Sequence, residues 1–391
     1  LVLRHPNGKA RAHMFFVAYT REGQDVASRP ITFSYNGGPG SPAIWLHMGL
    51  MGPKRVKMAA DGFQPTPPYE LVTNNESPLD VTDIVMIDPV QTGFSRAAEG
   101  EDSKQFTGVT GDIESVADFI RVYLTKFKRW PSPKFLLGES YGTMRSAGLS
   151  EALQSRHGVE LNGIVLVSSI LDYLSKGYAP GNDMPYANFL PSFTAIAWYH
   201  KKLPADLQNE GIAKAVEESR AFAYGEYLTA LTRGNRLSAS ERQALAQKVA
   251  RFSGLSAGFI LQANLRVTDP RFRKELLRDR GVTVGRLDGR FQGLDADDAG
   301  EFQEYDPAND ALALPYTALF SNYVRDELKW ETDLPYYTSG RVQPWDYAPY
   351  NNRYLNLMNE LRTAMAKNPA LRVMVANGYY DMATHFAATE N

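Results

Sequence analysis

Lys134-Phe135-Leu136-Leu137-Gly138-Glu139-Ser140-Tyr141-Gly142 reads as a short apolar strand running into G-x-S-x-G. Pro131 and Pro133 break the chain just before it, and Thr143-Met144-Arg145-Ser146-Ala147-Gly148-Leu149 follows with small residues that let a helix pack on a sheet. Strand, tight turn and helix in that order predict a nucleophile elbow. In that turn a serine is lifted out of the sheet on a strained corner, and flanking glycines let neighbouring backbone pass close by. The implied chemistry is acyl transfer through Ser140. G-x-S-x-G arises by chance in roughly one chain in ten of this length, so its surroundings carry the weight.

A second glycine-rich segment, Asn36-Gly37-Gly38-Pro39-Gly40-Ser41, follows the apolar strand Ile31-Thr32-Phe33-Ser34-Tyr35. Acyl transfer needs backbone N–H donors aimed at the oxygen that becomes negative, and glycines let a loop approach it without a Cβ clash. Its place well before the elbow is that of an oxyanion loop in an α/β-hydrolase. Strand-like runs at Met14-Phe15-Phe16-Val17-Ala18-Tyr19, Ile84-Val85-Met86-Ile87 and Ile164-Val165-Leu166-Val167 alternate with helical periodicity. One such helix has an apolar face of Ile113, Val116, Ala117, Ile120, Leu124 and Phe127. The expected fold is α/β, a mainly parallel sheet flanked by helices.

From residue 172 to 346 no comparable β run occurs, and helical stretches are expected at Leu207–Arg233, Ser238–Phe252 and Phe272–Arg278. The expectation is therefore a core over residues 1–171, a mainly helical cap over 172–346, and a second core segment over 347–391. That last segment holds a helix at Tyr354–Ala366 and the strand Leu371–Ala376, which leads to Asp381. Tyr186, Phe189, Phe193, Trp198, Tyr199, Tyr224 and Tyr227 enrich the insertion in aromatics, which at helical spacing form a core more often than a pocket.

These residues together resemble the serine carboxypeptidase family. The resemblance rests on Asn36 to Ser41, then Asp88-Pro89-Val90-Gln91-Thr92-Gly93-Phe94-Ser95, then Gly138 to Gly142, then Asn377-Gly378-Tyr379-Tyr380-Asp381, in the family's order. It implies Ser140 as nucleophile, the backbone N–H groups of Gly38 and Tyr141 as oxyanion hole, and Asp381 as the group that orients a histidine. It further implies Asn36, Gly37 and Glu139 as the binders of a peptide's terminal carboxylate. The implied partner is a peptide with a free C-terminal carboxylate, and no cofactor or metal is implied. The resemblance also points to a periplasmic or secreted place.

Three departures matter. In α/β-hydrolases the chain order is Ser, Asp, His, and after Asp381 only His385 is available, in a run from Met382 to Glu390 that reads as a helix. Four residues leave it little freedom to reach the serine, so His385 is expected to be a surface or packed helix histidine. The start at Leu1 and the stop inside that helix lead to the expectation of a fragment whose catalytic histidine lies beyond residue 391, and which is inactive without it. Second, Leu50 stands two residues before Gly52-Pro53, where family members carry a glutamate that shares a proton with the elbow glutamate. Third, the chain has no cysteine, and Ser41 stands where the family often has one, which resembles the bacterial branch.

Composition excludes other classes. Forty-two basic against forty-four acidic side chains leave a charge of −2 without a basic stripe for nucleic acid, and 43% hydrophobic residues describe a globular chain. No run of about 18 apolar residues for a membrane-crossing helix is present. Asp295-Ala296-Asp297-Asp298 lacks the glycine and glutamate spacing of a calcium loop, and the six histidines are scattered without H-E-x-x-H. An esterase or acyltransferase on the same scaffold, and a non-catalytic binding protein of the same fold, are the competing readings.

A pH prediction follows from Leu50. Without a second carboxyl to share a proton, activity should extend toward neutral pH, as read from the pH profile of kcat/KM. A narrow optimum at about pH 4 to 5, where a carboxyl pair titrates, is the opposing outcome.

Overall fold

A computed structural model describes residues 1–60 and 62–391. Two compact units form: a sheet unit of Leu1–Leu171 with Ala313–Ala376, and a helical unit of Asp172–Leu312 with Asn377–Asn391. These bounds differ from the expected 172–346 and 347–391. Residues 313–346 group with the sheet, because their backbone bonds to its loops, and residues 377–391 group with the helices, whose core takes up Met382 and Phe386.

The central sheet of the sheet unit has six strands: β1 (Phe16–Tyr19), β2 (Ile31–Tyr35), β3 (Asp83–Ile87), β4 (Lys134–Glu139), β5 (Gly163–Val167) and β6 (Arg372–Ala376). Their order is β6-β5-β4-β2-β3-β1, parallel throughout except for β1, which runs antiparallel to β3. Every residue of β2 and β3 is buried, as strands covered on both faces require. Helix α1 (Val109–Lys126) lies between β3 and β4 in the chain, and helix α2 (Tyr141–His157) between β4 and β5. Of the expected apolar face of α1, Val116, Ala117, Ile120 and Leu124 are buried, Ile113 is half-buried, and Phe127, just past the helix end, is exposed. The first ten residues of α2 are all buried, from Tyr141 and Arg145 to Gly142, Ala147 and Gly148. This is an α/β-hydrolase fold.

In the helical unit, α3 (Met184–Tyr199), α4 (Ile212–Phe222) and α5 (Ala239–Ser253) enclose a core in which Phe193 stacks on Phe272 at 3.9 Å. Phe189, Phe193 and Tyr227 are buried in it, and Tyr186, Trp198 and Tyr224 pack half-buried against it. The expected stretch Leu207–Arg233 is interrupted at Gly211, whose φ of 88° no helix accommodates, so α4 starts there afresh. Ser238 and Glu241 close a capping box at the start of α5, one residue from its expected start. The expected stretch Phe272–Arg278 is observed as Asp269–Glu275, and Tyr354–Ala366 as α6 (Met358–Lys367). No helix among the described residues is long and apolar enough to cross a membrane.

At the start of β3 the buried carboxylate of Asp83 receives Arg29 Nε at 2.6 Å and Arg129 Nη1 at 2.5 Å. Burial alone would raise its pKa, but hydrogen bonds from both guanidiniums and from the Arg21 amide outweigh burial and lower it. Asp83→Ala, which leaves two buried cations without a counter-charge, should cost about 3–5 kcal/mol in urea unfolding. The depressed pKa gives stability that is present above the unfolded carboxyl value of about 3.9 and is lost as pH falls through the lower folded value. Asp83→Asn should lack that acid limb.

Candidate active site

Ser140 sits between β4 and α2 with φ 57° and ψ −126°, a conformation that costs a non-glycine residue about 1–3 kcal/mol. The corner is held from both sides. Ser140 N–H donates to Val167 O of β5 at 3.0 Å, and Thr143 Oγ1 donates to Ser140 O at 2.7 Å. Glycine is required next to it, because a Cβ on Gly138 would meet Gly142 O at 2.3 Å.

The glycine-rich loop emerges from β2, and β2 pairs with β4, so Asn36 and Gly37 arrive beside the elbow. A Cβ on Gly37 would lie 2.3 Å from Tyr141 N and 2.7 Å from Glu139 O. Two successive backbones are thus in direct contact where Gly38, at φ 103°, turns the loop away. Tyr141 opens α2, where the helix dipole favours negative charge. Asn36 is fully buried; its Nδ2 donates to Glu139 Oε2 at 2.9 Å, and its Oδ1 accepts Leu46 N–H at 3.1 Å. Asn36, Gly37, Gly38, Glu139, Ser140 and Tyr141 therefore form one cluster in the sheet unit.

Asp381 lies in the helical unit. Its Oδ1 accepts the N–H groups of Ala383 at 2.7 Å and Thr384 at 3.0 Å, and its Oδ2 accepts Thr384 Oγ1 at 2.7 Å. Those bonds hold a turn, so the helix expected from Met382 begins only at Phe386 and runs to Glu390. His385 precedes that helix, 1% exposed, with its ring 3.9 Å from Phe189. Burial first, and then the Lys176 ammonium, lower its pKa to about 3, against a pull from the Ser175 backbone. It is a packed, neutral histidine. Among the described residues none of the sheet unit's histidines hydrogen-bonds Ser140: His5 pairs with Glu101, His13 is exposed, His157 ends α2, and His47 is buried against Tyr19 Oη at 2.6 Å. In the acidic loop, Lys274 Nζ sits 2.7 Å from Asp295 Oδ2.

Sequence reading missed a strap, residues 335–346. Tyr337 exchanges two backbone hydrogen bonds with Gly93 at 2.9 and 3.1 Å, Gly340 N–H donates to Gly40 O at 2.7 Å, and Trp345 meets the Tyr141 ring edge-on at 5.4 Å. One segment thus touches the glycine-rich loop, the Asp88–Ser95 loop and the elbow. It carries no periodicity and is broken by Pro335, Gly340 and Pro344, so no signal in the sequence separates it from an ordinary loop.

Fold and cluster together define a hydrolase with a serine elbow. The family model of serine carboxypeptidases, Peptidase_S10, matches residues 5–391, and the chain belongs to that family. Among solved structures it is similar to Kex1(delta)p, a prohormone-processing carboxypeptidase from Saccharomyces cerevisiae. The TM-score is 0.55 and the identity 16%, over 98% of this chain and 72% of the other. It is also similar to a soluble variant of monoglyceride lipase from Saccharomyces cerevisiae, with a TM-score of 0.28 and 15% identity over 46% of this chain and 48% of the other. Comparison with curated proteins gives no match.

Because Gly37 touches the elbow backbone, Gly37→Ala must push the loop or the elbow aside. Steady-state kinetics of this variant should show kcat reduced by about a hundredfold, the cost of a displacement on the order of 1 Å. An unchanged kcat would show that the loop's position is not what matters.

Proposed function

We propose that the protein is a serine-type carboxypeptidase that releases C-terminal residues from peptides through an acyl-enzyme on Ser140. The observation that supports this most is the strained elbow with the Gly37 backbone laid against the Tyr141 amide. Ser140 Oγ attacks the scissile carbonyl, and the new oxyanion is received by the N–H groups of Gly38 and Tyr141, each worth about 3–4 kcal/mol of barrier. Collapse expels the C-terminal amino acid as leaving group, and water then hydrolyses the ester. Asn36, the Gly37 backbone and the Glu139 side chain bind the free carboxylate of the peptide. This role suits Glu139, since the Asn36 amide already fixes its carboxyl.

Asp381 is assigned to orient the imidazole that takes the proton of Ser140. The reading gives that task to none of the six histidines: His385, with a pKa of about 3, is too weak a base at neutral pH. No observation favours an esterase or a binding protein over this reading.

The test uses the full-length protein with a blocked dipeptide. A serine-directed phosphonate should label Ser140, as read by peptide mapping, and Ser140→Ala should lower kcat by several orders of magnitude. Labelling elsewhere, or a short ester cleaved while the dipeptide is not, overturns the assignment.

A further inference from the structure

We propose that Asp88 is a positioning residue for the glycine-rich loop: it ties the loop's far end, at Ala43, to the strap at Tyr336, and so sets where the Gly38 N–H points. The proposal rests on the oxyanion-hole reading above. Asp88 directly follows β3 and is 2% exposed. Its Oδ1 accepts Ala43 N–H at 2.9 Å and faces Tyr336 Oη at 3.4 Å. The loop is therefore anchored on both sides of Gly38. Asn36 is fixed by Leu46 N–H and Glu139, and Ala43 by Asp88.

The surroundings are shaped to that carboxyl. A Cβ on Gly93 would fall 1.8 Å from Asp88 Oδ2, so the Asp88–Ser95 loop closes over it only with glycine there. Ser95 Oγ donates to Asp88 O at 2.7 Å and fixes the backbone of the same residue. Tyr336 is held between Phe94 at 4.8 Å and Phe320 at 4.7 Å, and its neighbour Tyr337 is paired to Gly93. A cation facing the group, Arg96, lies over the Tyr337 ring and donates to Pro335 O at 2.7 Å. Burial pushes the carboxyl up to about 7 against the pull of the Ala43 and Phe94 amides, Tyr336 and Arg96. Asparagine, neutral and of the same shape, is thus a close mimic of the protonated side chain.

A residue that merely stabilises the fold would change the amount of active protein and leave each molecule's kinetics alone. A positioning residue changes kcat per labelled Ser140, and it weakens a transition-state analogue whose tetrahedral oxygen occupies the hole. The experiment compares Asp88→Ala, Asp88→Asn and Tyr336→Phe in the full-length protein, with active sites titrated by the phosphonate. It reads kcat and KM on the blocked dipeptide and inhibition by a peptidyl boronate.

Asp88→Ala should lower kcat by roughly ten- to a hundredfold, with KM within about twofold, and weaken the boronate by the same factor. Asp88→Asn keeps an oxygen for Ala43 and should stay within about threefold of the parent. Tyr336→Phe should fall between them. Equal kcat for Asp88→Ala and the parent, or Asp88→Asn as impaired as Asp88→Ala, overturns the proposal. Should Asp88→Ala fail to fold, Gly93→Ala decides: its Cβ would fall 1.8 Å from Asp88 Oδ2 and must displace the carboxyl from Ala43 N–H while Asp88 itself is kept. This variant must show the same loss of kcat and boronate affinity, and parent-like values sink the idea. A parent protein in which the phosphonate leaves Ser140 unmodified would instead refute the acyl-enzyme reading.

Discussion

A single buried guanidinium, that of Arg145, holds together the pieces on which the site is built. It is 1% exposed, on the second turn of α2; its Nε donates to Asp112 Oδ2 of α1 at 2.7 Å and its Nη1 to Asn36 O at 2.7 Å. The rings of Tyr35 and Tyr141 flank it at 5.2 and 5.5 Å. Taking two charges out of water costs several kcal/mol per ion, so such a pair persists only with good geometry and further hydrogen bonds. The carbonyl of Asn36 supplies one. Burial alone would lower the pKa of Arg145, but Asp112 raises it, and the guanidinium stays charged. A lysine has one ammonium point and could not address Asp112 and Asn36 from fixed, separate nitrogens. The helix that follows Ser140, the helix before β4 and the loop that carries Gly38 are thereby registered to one another.

That registration explains how the strain at Ser140 is sustained. A residue at φ 57° relaxes unless its neighbours over-determine it. Here Thr143 Oγ1 bonds both Ser140 O and Ile170 O and also receives Ile170 N–H, which couples the elbow to the exit of β5. Gly37 closes the remaining side by direct backbone contact. The elbow is thus a consequence of three loops meeting at the C-terminal ends of β2, β4 and β5, where α/β sheets present their reactive groups.

The strands of this sheet were legible because each is an apolar run bounded by turn residues, and the elbow because glycine marks the places where backbones touch. The antiparallel direction of β1 was not, since pairing direction leaves no local trace in four residues. Gly211 divided a stretch whose periodicity looked continuous, the positive φ of one residue overriding helix propensity around it. After Asp381 the side chain took the backbone N–H groups of Ala383 and Thr384, so a turn displaced the helix expected from Met382. The role of Asp88 was hidden for a different reason. Its partners Ala43 and Tyr336 are 45 and 248 residues away, and only the fold brings them to one oxygen.

The absent second carboxyl at position 50 is a matter of side-chain chemistry and not of loop shape. The turn His47–Met51 is pinned through its backbone: Asn74 Nδ2 donates to Leu50 O at 2.8 Å and Gly52 O at 2.9 Å, and Ser77 Oγ to Met51 O at 2.6 Å. These bonds do not depend on what side chain position 50 bears, and Leu50 is 47% exposed, with no packing role that would demand leucine. Glu139 accepts a hydrogen bond from the Asn36 amide, whose donor state does not change with pH. On the carboxypeptidase reading, a permanent amide donor stands where an acid-dependent carboxyl pair would act. Recognition of a peptide's carboxylate then lacks the coupled second step that two carboxyls sharing a proton impose.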